Sequence, residues 1–203
     1  MIRIINDDAK NHGAKFDMIF TDPPFEMSGQ DLLSVLDCYE YDHLLLICSA
    51  HQMLDLYKCS ELDFAWQMVL DFKTPTKNRS FAQPHITHAN IVYFRKKGVK
   101  SAFDRRKVVR QDHYSDDANH YYPSVFHAPK TGMQYKYQKN QAMIDDLLGA
   151  FDVQSVCDML AGSGTTGLAA YEHGLDCTLI EQDIDAFKIL KTNFRMLGLC
   201  DDK

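Results

Sequence analysis

The sequence lacks long hydrophobic runs. The longest aliphatic run, Leu44 to Cys48, is far shorter than the roughly 20 residues that a membrane-spanning helix needs. The amino terminus lacks the layout of a secretory signal, in which basic residues precede a long apolar stretch. We therefore expect an intracellular protein that does not contact a membrane.

The sequence also lacks the short spacings that mark metal and disulfide sites. Its nine histidines form no HxH or HExxH pattern, and its cysteines form no CxxC pair. Widely spaced cysteines in apolar surroundings indicate reduced, mostly buried thiols. We therefore predict no metal. The six cysteines are Cys38, Cys48, Cys59, Cys157, Cys177 and Cys200.

Acidic side chains are nearly missing from one segment of an otherwise acidic chain. The net charge is −6, yet residues 73 to 110 contain eleven basic residues and a single acidic one, Asp104. Such a segment predicts one strongly positive surface that contacts nucleic-acid phosphates. The alternative is an ordinary solvated face. The eleven residues are Lys73, Lys77, Arg79, Arg95, Lys96, Lys97, Lys100, Arg105, Arg106, Lys107 and Arg110.

Short apolar strands alternate with amphipathic helices along most of the 203 residues. This alternation predicts one α/β domain over residues 1–203, with helices on both faces of a sheet. Between about 98 and 135 the apolar residues follow neither a helix nor a strand period, which predicts an irregular insertion above the sheet. Predicted strands are Met1–Ile5, Phe16–Phe20, His43–Cys48, Phe64–Phe72, Ala89–Phe94, Ser155–Met159 and Cys177–Ile180. Predicted helices are Asp31–Cys38, His51–Cys59, Asn140–Phe151, Thr165–His173 and Ile184–Leu197.

A glycine-rich turn follows the strand at Ser155. Gly162, Gly164 and Gly167 fit GxGxxG, and Glu181 ends the next strand, where a ribose-binding acid belongs. The turn has no phosphate-binding lysine, which excludes a P-loop. The alternative interpretation is a tight strand-to-helix turn that binds no ligand. Too few residues follow Gly164 to build a second mononucleotide half, so a mononucleoside ligand such as S-adenosylmethionine fits better than NAD.

A second motif, Asp22-Pro23-Pro24-Phe25, follows the strand Phe16–Phe20. Two prolines stop the strand and contribute no N–H groups, so the turn offers carbonyl acceptors, one carboxylate and an aromatic face. Such a surface suits a planar ligand rich in hydrogen-bond donors, such as a base with an exocyclic amine. The alternative is a strand-ending turn with a core phenylalanine.

Together, Asp-Pro-Pro-aromatic after one strand and AGSGTT after another resemble the amino-methyltransferases that methylate exocyclic amines of nucleobases. The order of the motifs, with DPPF first and the glycine motif last, is similar to the permuted β-class of DNA methyltransferases. The resemblance covers most of the chain. Departures are DPPF for the commoner DPPY, Met159-Leu160 for Pro-Phe, and only Gln138-Lys139 retained from the HPTQKP element.

The resemblance implies a circularly permuted Rossmann-like methyltransferase fold with S-adenosylmethionine as its cofactor. The implied catalytic residues are Asp22, Pro23, Pro24 and Phe25. Asp8 matches the family's acidic segment near the cofactor adenine, and Lys139 matches an element at the cofactor's methionine end. The implied cofactor-binding residues are Asp8, Lys139, Asp158, Ala161, Gly162, Ser163, Gly164, Thr165, Thr166 and Glu181.

The implied reaction is methyl transfer to the N6 amine of adenine in double-stranded DNA, with the target base flipped out of the helix. Aspartate rather than serine at position 22 favours adenine in this family. Cytosine 4-amino methylation, RNA or protein amine methylation, and a non-catalytic cofactor- and DNA-binding subunit stay open. The expected setting is the cytoplasm of a bacterial or phage-infected cell, in restriction-modification or phage DNA modification. A homodimer is compatible with the sequence, and the recognition region is expected at about 98–135.

Overall fold

The computed structural model of the chain describes residues 1–59, 61–72, 81–82, 84–107, 122–127 and 139–199. Eight strands and five α-helices lie in these ranges. The strands are β1 (Ile2–Ile5), β2 (Lys15–Thr21), β3 (Glu40–Cys48), β4 (Leu62–Asp71), β5 (His88–Lys96), β6 (Val125–His127), β7 (Ser155–Asp158) and β8 (Asp176–Ile180). The helices are α1 (Gly29–Leu36), α2 (Ala50–Tyr57), α3 (Gln141–Gly149), α4 (Thr165–Glu172) and α5 (Ile184–Met196).

All seven predicted strands and all five predicted helices are present, which confirms the predicted α/β fold class. Local chemistry explains where several helices begin. The side chains of Ser28, Ser49, Asn140 and Asp183 each accept a hydrogen bond from a backbone N–H of the first turn of α1, α2, α3 and α5, respectively. These are the short polar residues that favour helix amino termini.

The strands form one sheet in the order β1-β8-β7-β2-β3-β5-β4-β6. The five strands from β1 to β3 are mutually parallel, while β5 runs antiparallel to both of its neighbours. Parallel strands end at one edge of a sheet, so the segments that follow β1, β8, β7, β2 and β3 meet there. We call this the carboxyl edge and the opposite one the amino edge.

Apolar side chains cover both faces of the sheet. One core cluster combines α3, α4 and α5 with the sheet and includes Leu147 and Phe194. The other combines α1 and α2 with the opposite face and includes Leu32 and Leu56. Burial on both faces explains why the central strands are nearly continuous apolar runs, as in Leu44–Cys48. No helix in the described ranges is long and apolar enough to cross a membrane.

The described part of the expected insertion at 98–135 adds one short strand to the sheet, and the insertion itself stays a prediction. Its described residues 125–127 form β6, which pairs with β4 and extends the sheet. Ala102 and Asp104 bond to the backbone of residues 150–152, which lie before β7 at the amino edge. The three-residue strand β6 is too short to produce a detectable period in the sequence. Residues 108–121 and 128–135 lie outside the described ranges.

Candidate active site at the carboxyl edge

The two chemical motifs lie side by side because β2 and β7 are neighbours in the sheet. Met18 pairs with Val156 and Ile19 with Cys157, so Asp22 and the glycine turn emerge from adjacent strands at the carboxyl edge. Glu181 follows β8, the next strand, and Asp8 lies beyond β1. The two motifs are distant in the chain, and the strand pairing removes that separation.

Asp158 joins the two motifs directly. Its Oδ1 accepts hydrogen bonds from the Thr21 hydroxyl at 2.8 Å and from the Leu160 N–H at 3.1 Å, while Oδ2 accepts from the Thr166 hydroxyl at 2.7 Å. Burial raises the pKa of this carboxyl to about 6, and the hydrogen bonds from Thr166, Thr21 and Leu160 oppose that rise. The sequence predicts that Asp158 binds the cofactor, but the structure directs both oxygens to protein groups.

The glycines of the turn have different physical roles. Gly162 and Gly164 have φ values of 53° and 85°, in the left-handed region that favours glycine. A Cβ at Gly164 would lie 2.8 Å from the Phe194 ring, and one at Gly167 would lie 2.4 Å from Leu179. Gly164 and Gly167 therefore allow α4 to pack closely against α5 and β8. The sequence assigns the glycines to ligand approach, and the structure shows that helix packing already requires two of them.

The hydroxyl side chains that follow the turn are buried. The exposed fractions of Ser163, Thr165 and Thr166 are 4%, 8% and 6%, and the Thr166 hydroxyl donates a hydrogen bond to Asp158. The Ser163 carbonyl accepts a hydrogen bond at 3.0 Å from the Asn193 side chain of α5. These buried residues stabilise the conformation of the turn. Ala161, also buried, donates its N–H to the Ile180 carbonyl, which ties the turn to the end of β8.

Glu181 is oriented by two backbone N–H groups. Its Oε2 accepts from the Gly162 N–H at 2.7 Å, and its Oε1 accepts from the Asp183 N–H at 2.7 Å. A carboxylate oxygen has more than one acceptor position, so both can still receive a hydroxyl from a ligand. The half-buried side chain is therefore preorganised beside the glycine turn.

Asp8 stands at the end of β1 and begins a short 3₁₀ turn. Its carboxylate accepts a hydrogen bond at 2.9 Å from the Lys10 N–H. The preceding Asn6 donates to the carbonyls of Glu181 at 2.7 Å and Gln182 at 3.3 Å. Asn6 thus fastens the Asp8 segment to the loop after β8. No role for Asn6 could be read from the sequence, and only the pairing of β1 with β8 reveals its contact.

Lys139 differs most from its expected place. The sequence assigns it to the cofactor, whereas the structure pairs its ammonium group with the Asp22 carboxylate. The Lys139 and Asp22 side chains are only 16% and 25% exposed, so water screens this ion pair less than a surface pair. The two residues are 117 positions apart.

The DPPF turn is held by the neighbouring helix. Met27 donates its N–H to the Pro24 carbonyl at 2.9 Å, and the Gln52 side chain donates to the same carbonyl at 2.8 Å. Phe25 is half buried and packs against the larger core cluster. Gln52 was missed at the level of sequence, although Ser49 and Gln52 have the spacing of a capping box and could have indicated it.

The described part of the basic segment lies toward the amino edge of the sheet. Arg95 pairs in register with His43 near the start of β3, and Lys97 bonds to Glu61 before β4, so both lie toward the amino edge. The side chains of Arg106 and Lys107 pair with Asp104 and Asp152 near the same edge. The prediction of one positive surface stays a prediction, and its described members lie toward the amino edge, away from Asp22. Lys73, Lys77, Arg79 and Arg110 lie outside the described residues.

The other members of the segment fit this placement. Lys96 lies over the ring of Tyr41, with its Nζ 4.6 Å from the ring centroid, and Arg95 donates to the Val99 carbonyl at 3.0 Å. Lys100 and Arg105 are exposed. Among the described residues, no group of three or more histidine, cysteine or acidic side chains could hold a metal ion.

No protein-family model matches the sequence, and no curated protein matches it significantly. Solved structures do resemble it. M1.HpyAVI in complex with SAM has a TM-score of 0.70 and 18% identity, covering 95% of this chain and all of that one. A putative DNA modification methylase of Thermus thermophilus, complexed with S-adenosyl-L-methionine, has a TM-score of 0.65 and 15% identity over 97% of this chain and 95% of that one.

A third similar structure is the cytosine-N4-specific PvuII DNA methyltransferase, with a TM-score of 0.71 and 12% identity. The alignment covers all of this chain and 87% of that one. The protein therefore has the α/β fold of DNA methyltransferases, and the comparisons confirm the predicted fold class. At such low identity the likeness concerns the fold, so the activity has to be argued from the site.

Proposed function

We propose that the protein transfers a methyl group from S-adenosylmethionine to the N6 amine of adenine in double-stranded DNA. The observation that carries this proposal is the hydrogen bond between Thr21 and Asp158, which ties the residue before Asp22 to the turn that contains Gly162. An amine-binding carboxylate and a nucleoside-binding turn are thereby held next to each other. Methyl transfer needs this proximity, since aligned reactants lose little further freedom on the way to the transition state.

The residues at this edge suit S-adenosylmethionine. Glu181 is oriented to accept ribose hydroxyls, and Asp8 is assigned to the adenine end. The turn from Ala161 to Thr166 contains no lysine, so it lacks the side chain with which a P-loop contacts phosphates. When bound, S-adenosylmethionine supplies an electrophilic methyl group. Glu181 and Asp8 hold and orient the cofactor, while Asp158 acts from behind the turn.

The Asp22 carboxylate and the Pro23 carbonyl would each accept a hydrogen bond from one N–H of the target amine. The lone pair of an aromatic amine is delocalised into its ring, and hydrogen bonds that favour a pyramidal nitrogen free it for attack. Lys139 contacts one oxygen of Asp22, and a carboxylate with two oxygens can accept from an ammonium group and an amine together. Phe25 would stack on the flipped base.

Adenine is proposed over cytosine because position 22 is an aspartate. The resemblance to the cytosine-N4-specific PvuII enzyme makes cytosine the second candidate, since a ring amine of similar geometry could be held by the same turn. Double-stranded DNA is the proposed partner.

The deciding experiment incubates the protein with radiolabelled S-adenosylmethionine and unmethylated double-stranded DNA, followed by nucleoside analysis. We expect label in N6-methyladenine. Label in N4-methylcytosine would move the proposal to the second candidate. Label in neither nucleoside, from a protein that binds S-adenosylmethionine by calorimetry, would refute DNA methylation.

Asp22→Ala tests the assigned acceptor. Turnover should fall at least about 100-fold, the typical loss when a transition-state hydrogen-bond partner is removed, while cofactor and DNA binding persist. The control is Asp31→Ala, which also replaces an aspartate with alanine. Asp31 lies in the first turn of α1 and bonds to Ser28. The assignment would be wrong if Asp22→Ala retained wild-type turnover.

A further inference from the structure

Gln52 connects the DPPF turn to the end of β3. It lies in the first turn of α2 and is only 1% exposed, although it is a polar residue. Its Nε2 donates to the carbonyls of Pro24 at 2.8 Å and Met27 at 3.0 Å. Its Oε1 accepts from the N–H and the hydroxyl of Ser49 at 2.9 and 3.0 Å. Both hydrogens and both acceptor positions of the amide are therefore used.

The surrounding groups determine which way the amide faces. In the reverse orientation its oxygen would face two carbonyl oxygens, and its NH₂ group would face the Ser49 N–H. Both arrangements are repulsive, so the nitrogen must point toward the DPPF turn. The network thus presents two N–H donors to the turn and no acceptor.

The turn needs donors from outside because it contributes few of its own. Pro23 and Pro24 have no N–H group. The Met27 N–H bonds to the Pro24 carbonyl, which closes a turn from Pro24 to Met27. Gln52 donates to the carbonyls of both Pro24 and Met27. Directly after it, Gly29 starts α1 so close to α2 that a Cβ there would lie 2.2 Å from the Cβ of Asp55. Helix α2 is therefore the support on which the turn rests.

We infer that Gln52 is a positioning residue that holds the DPPF turn in the geometry required for base binding and methyl transfer. This inference rests on the proposed function, because Asp22 and Phe25 flank the clamped carbonyl of Pro24. Gln52 acts through the turn and not on the substrate. Glutamate is a poor replacement, since its ionised carboxylate would face two carbonyl oxygens. Methionine fills a similar volume but supplies no donor.

The competing explanation is that Gln52 only caps α2. Ser49 separates the two explanations, because its hydroxyl hydrogen-bonds to Gln52 within the cap and, among the described residues, has no hydrogen bond to the turn. Ser49→Ala weakens the cap and leaves the Gln52 donors in place. Gln52→Met removes the donors. A pure cap predicts similar kinetic behaviour for both variants once each is folded.

The kinetic test measures kcat, the KM for DNA, cofactor affinity and melting temperature for the wild type, Gln52→Met and Ser49→Ala. We expect kcat of Gln52→Met to fall about tenfold or more, with cofactor affinity within about twofold of wild type. Ser49→Ala should keep kcat within about twofold at a temperature where both variants are folded. Equal kcat values for the two variants would overturn the inference.

Gln52→Glu gives a second kinetic readout. The protonated acid can donate one hydrogen to a turn carbonyl, whereas the carboxylate donates none. The ratio of its kcat to that of the wild type should therefore rise as the pH falls, within the range where both remain folded. A ratio independent of pH would count against a donor role and in favour of simple space filling.

Hydrogen exchange tests the clamp without any substrate. Exchange of the Met27 amide should become about tenfold faster in Gln52→Met, because its bond to Pro24 loses support, and should stay unchanged in Ser49→Ala. If the wild type methylates neither base, the proposed function fails while this readout still judges the clamp. Unchanged Met27 exchange in folded Gln52→Met would refute the inference whatever the activity.

Discussion

At the scale of single residues, Phe25 combines features of a pocket wall and of a core residue. It is half buried against the larger core cluster, yet it is the last residue of the DPPF turn at the carboxyl edge. An aromatic ring can stack on a flipped base and still pack its far side on the core. Stacking affects base binding and core packing affects stability, so two measurements on one substitution separate the roles.

Phe25→Ala should weaken productive DNA engagement by about 1–3 kcal/mol, the value of one base stacked on an aromatic ring. Phe25→Tyr should retain most activity, because the stacking face remains. The measurements are the KM for DNA and the fluorescence of a base analogue at the target position. Normal base flipping combined with a large loss of melting temperature in Phe25→Ala would assign Phe25 to the core alone.

For Lys139, a single contact with Asp22 changes the role that the sequence predicts. If Lys139 binds the cofactor, its substitution should lower the affinity for S-adenosylmethionine. If it acts through Asp22, its substitution should lower turnover. We expect Lys139→Met to lower kcat on the order of tenfold, equal to about 1.4 kcal/mol, with little change in cofactor affinity. Calorimetry and steady-state kinetics on one preparation measure both. The opposite pattern would return Lys139 to the cofactor site.

At the scale of elements, Asp158 links β2, β7 and α4 through one buried carboxylate. Its pKa rises from the ordinary 3.8 to about 6 in the folded protein, mainly through burial. The folded state therefore holds this proton more tightly than the unfolded chain does. The resulting stabilisation is present below about pH 4 and is lost as the pH rises through about 6.

Asp158→Asn should remove that part of the pH dependence. Between pH 4 and pH 7 the free energy of unfolding of the variant should gain on the wild type by up to about 3 kcal/mol, because two pKa units correspond to that energy. Urea unfolding at several pH values measures the difference. A constant difference between Asp158→Asn and the wild type would contradict the raised pKa.

At the scale of the whole molecule, the positions of the basic residues relative to the two sheet edges predict where DNA would bind. The connection from β4 to β5 leaves the sheet at Phe72 and returns at Thr87, and both lie at the carboxyl edge. Lys73, Lys77 and Arg79 fall within this connection in the sequence. The basic residues from Arg95 to Lys107 lie toward the amino edge, away from Asp22.

Two triple variants with the same change of charge test this distribution. Replacing Lys73, Lys77 and Arg79 by alanine should weaken DNA binding and flatten its salt dependence by about one unit of slope for each phosphate that the variant no longer binds. Replacing Lys97, Lys100 and Arg105 by alanine should leave the slope unchanged. Affinity measured at several salt concentrations decides. Equal losses in both variants would indicate a general effect of net charge.

Much of the fold and of the candidate site could be read from local patterns in the chain. Within the described ranges, apolar periodicity predicted every α-helix and all strands except β6, since each element buries a face of its own. Asp22 and Glu181 were identified by their position at strand ends. The pairing of β1 with β8, which brings Asn6 to Glu181, could not be read in this way, because no local pattern encodes the order of strands.

The sequence by itself determined which groups are available: an acidic, proline-stiffened turn, a glycine turn and a glutamate that follows a strand. These depend on side-chain chemistry and backbone freedom, which are properties of neighbouring residues. Only the tertiary structure decided that Lys139 contacts Asp22, that Asp158 faces inward and that Gln52 supports the DPPF turn. It also placed the basic residues from Arg95 to Lys107 toward the amino edge. These outcomes depend on contacts between residues distant in the chain, and the packing of the sheet and its helices sets those contacts.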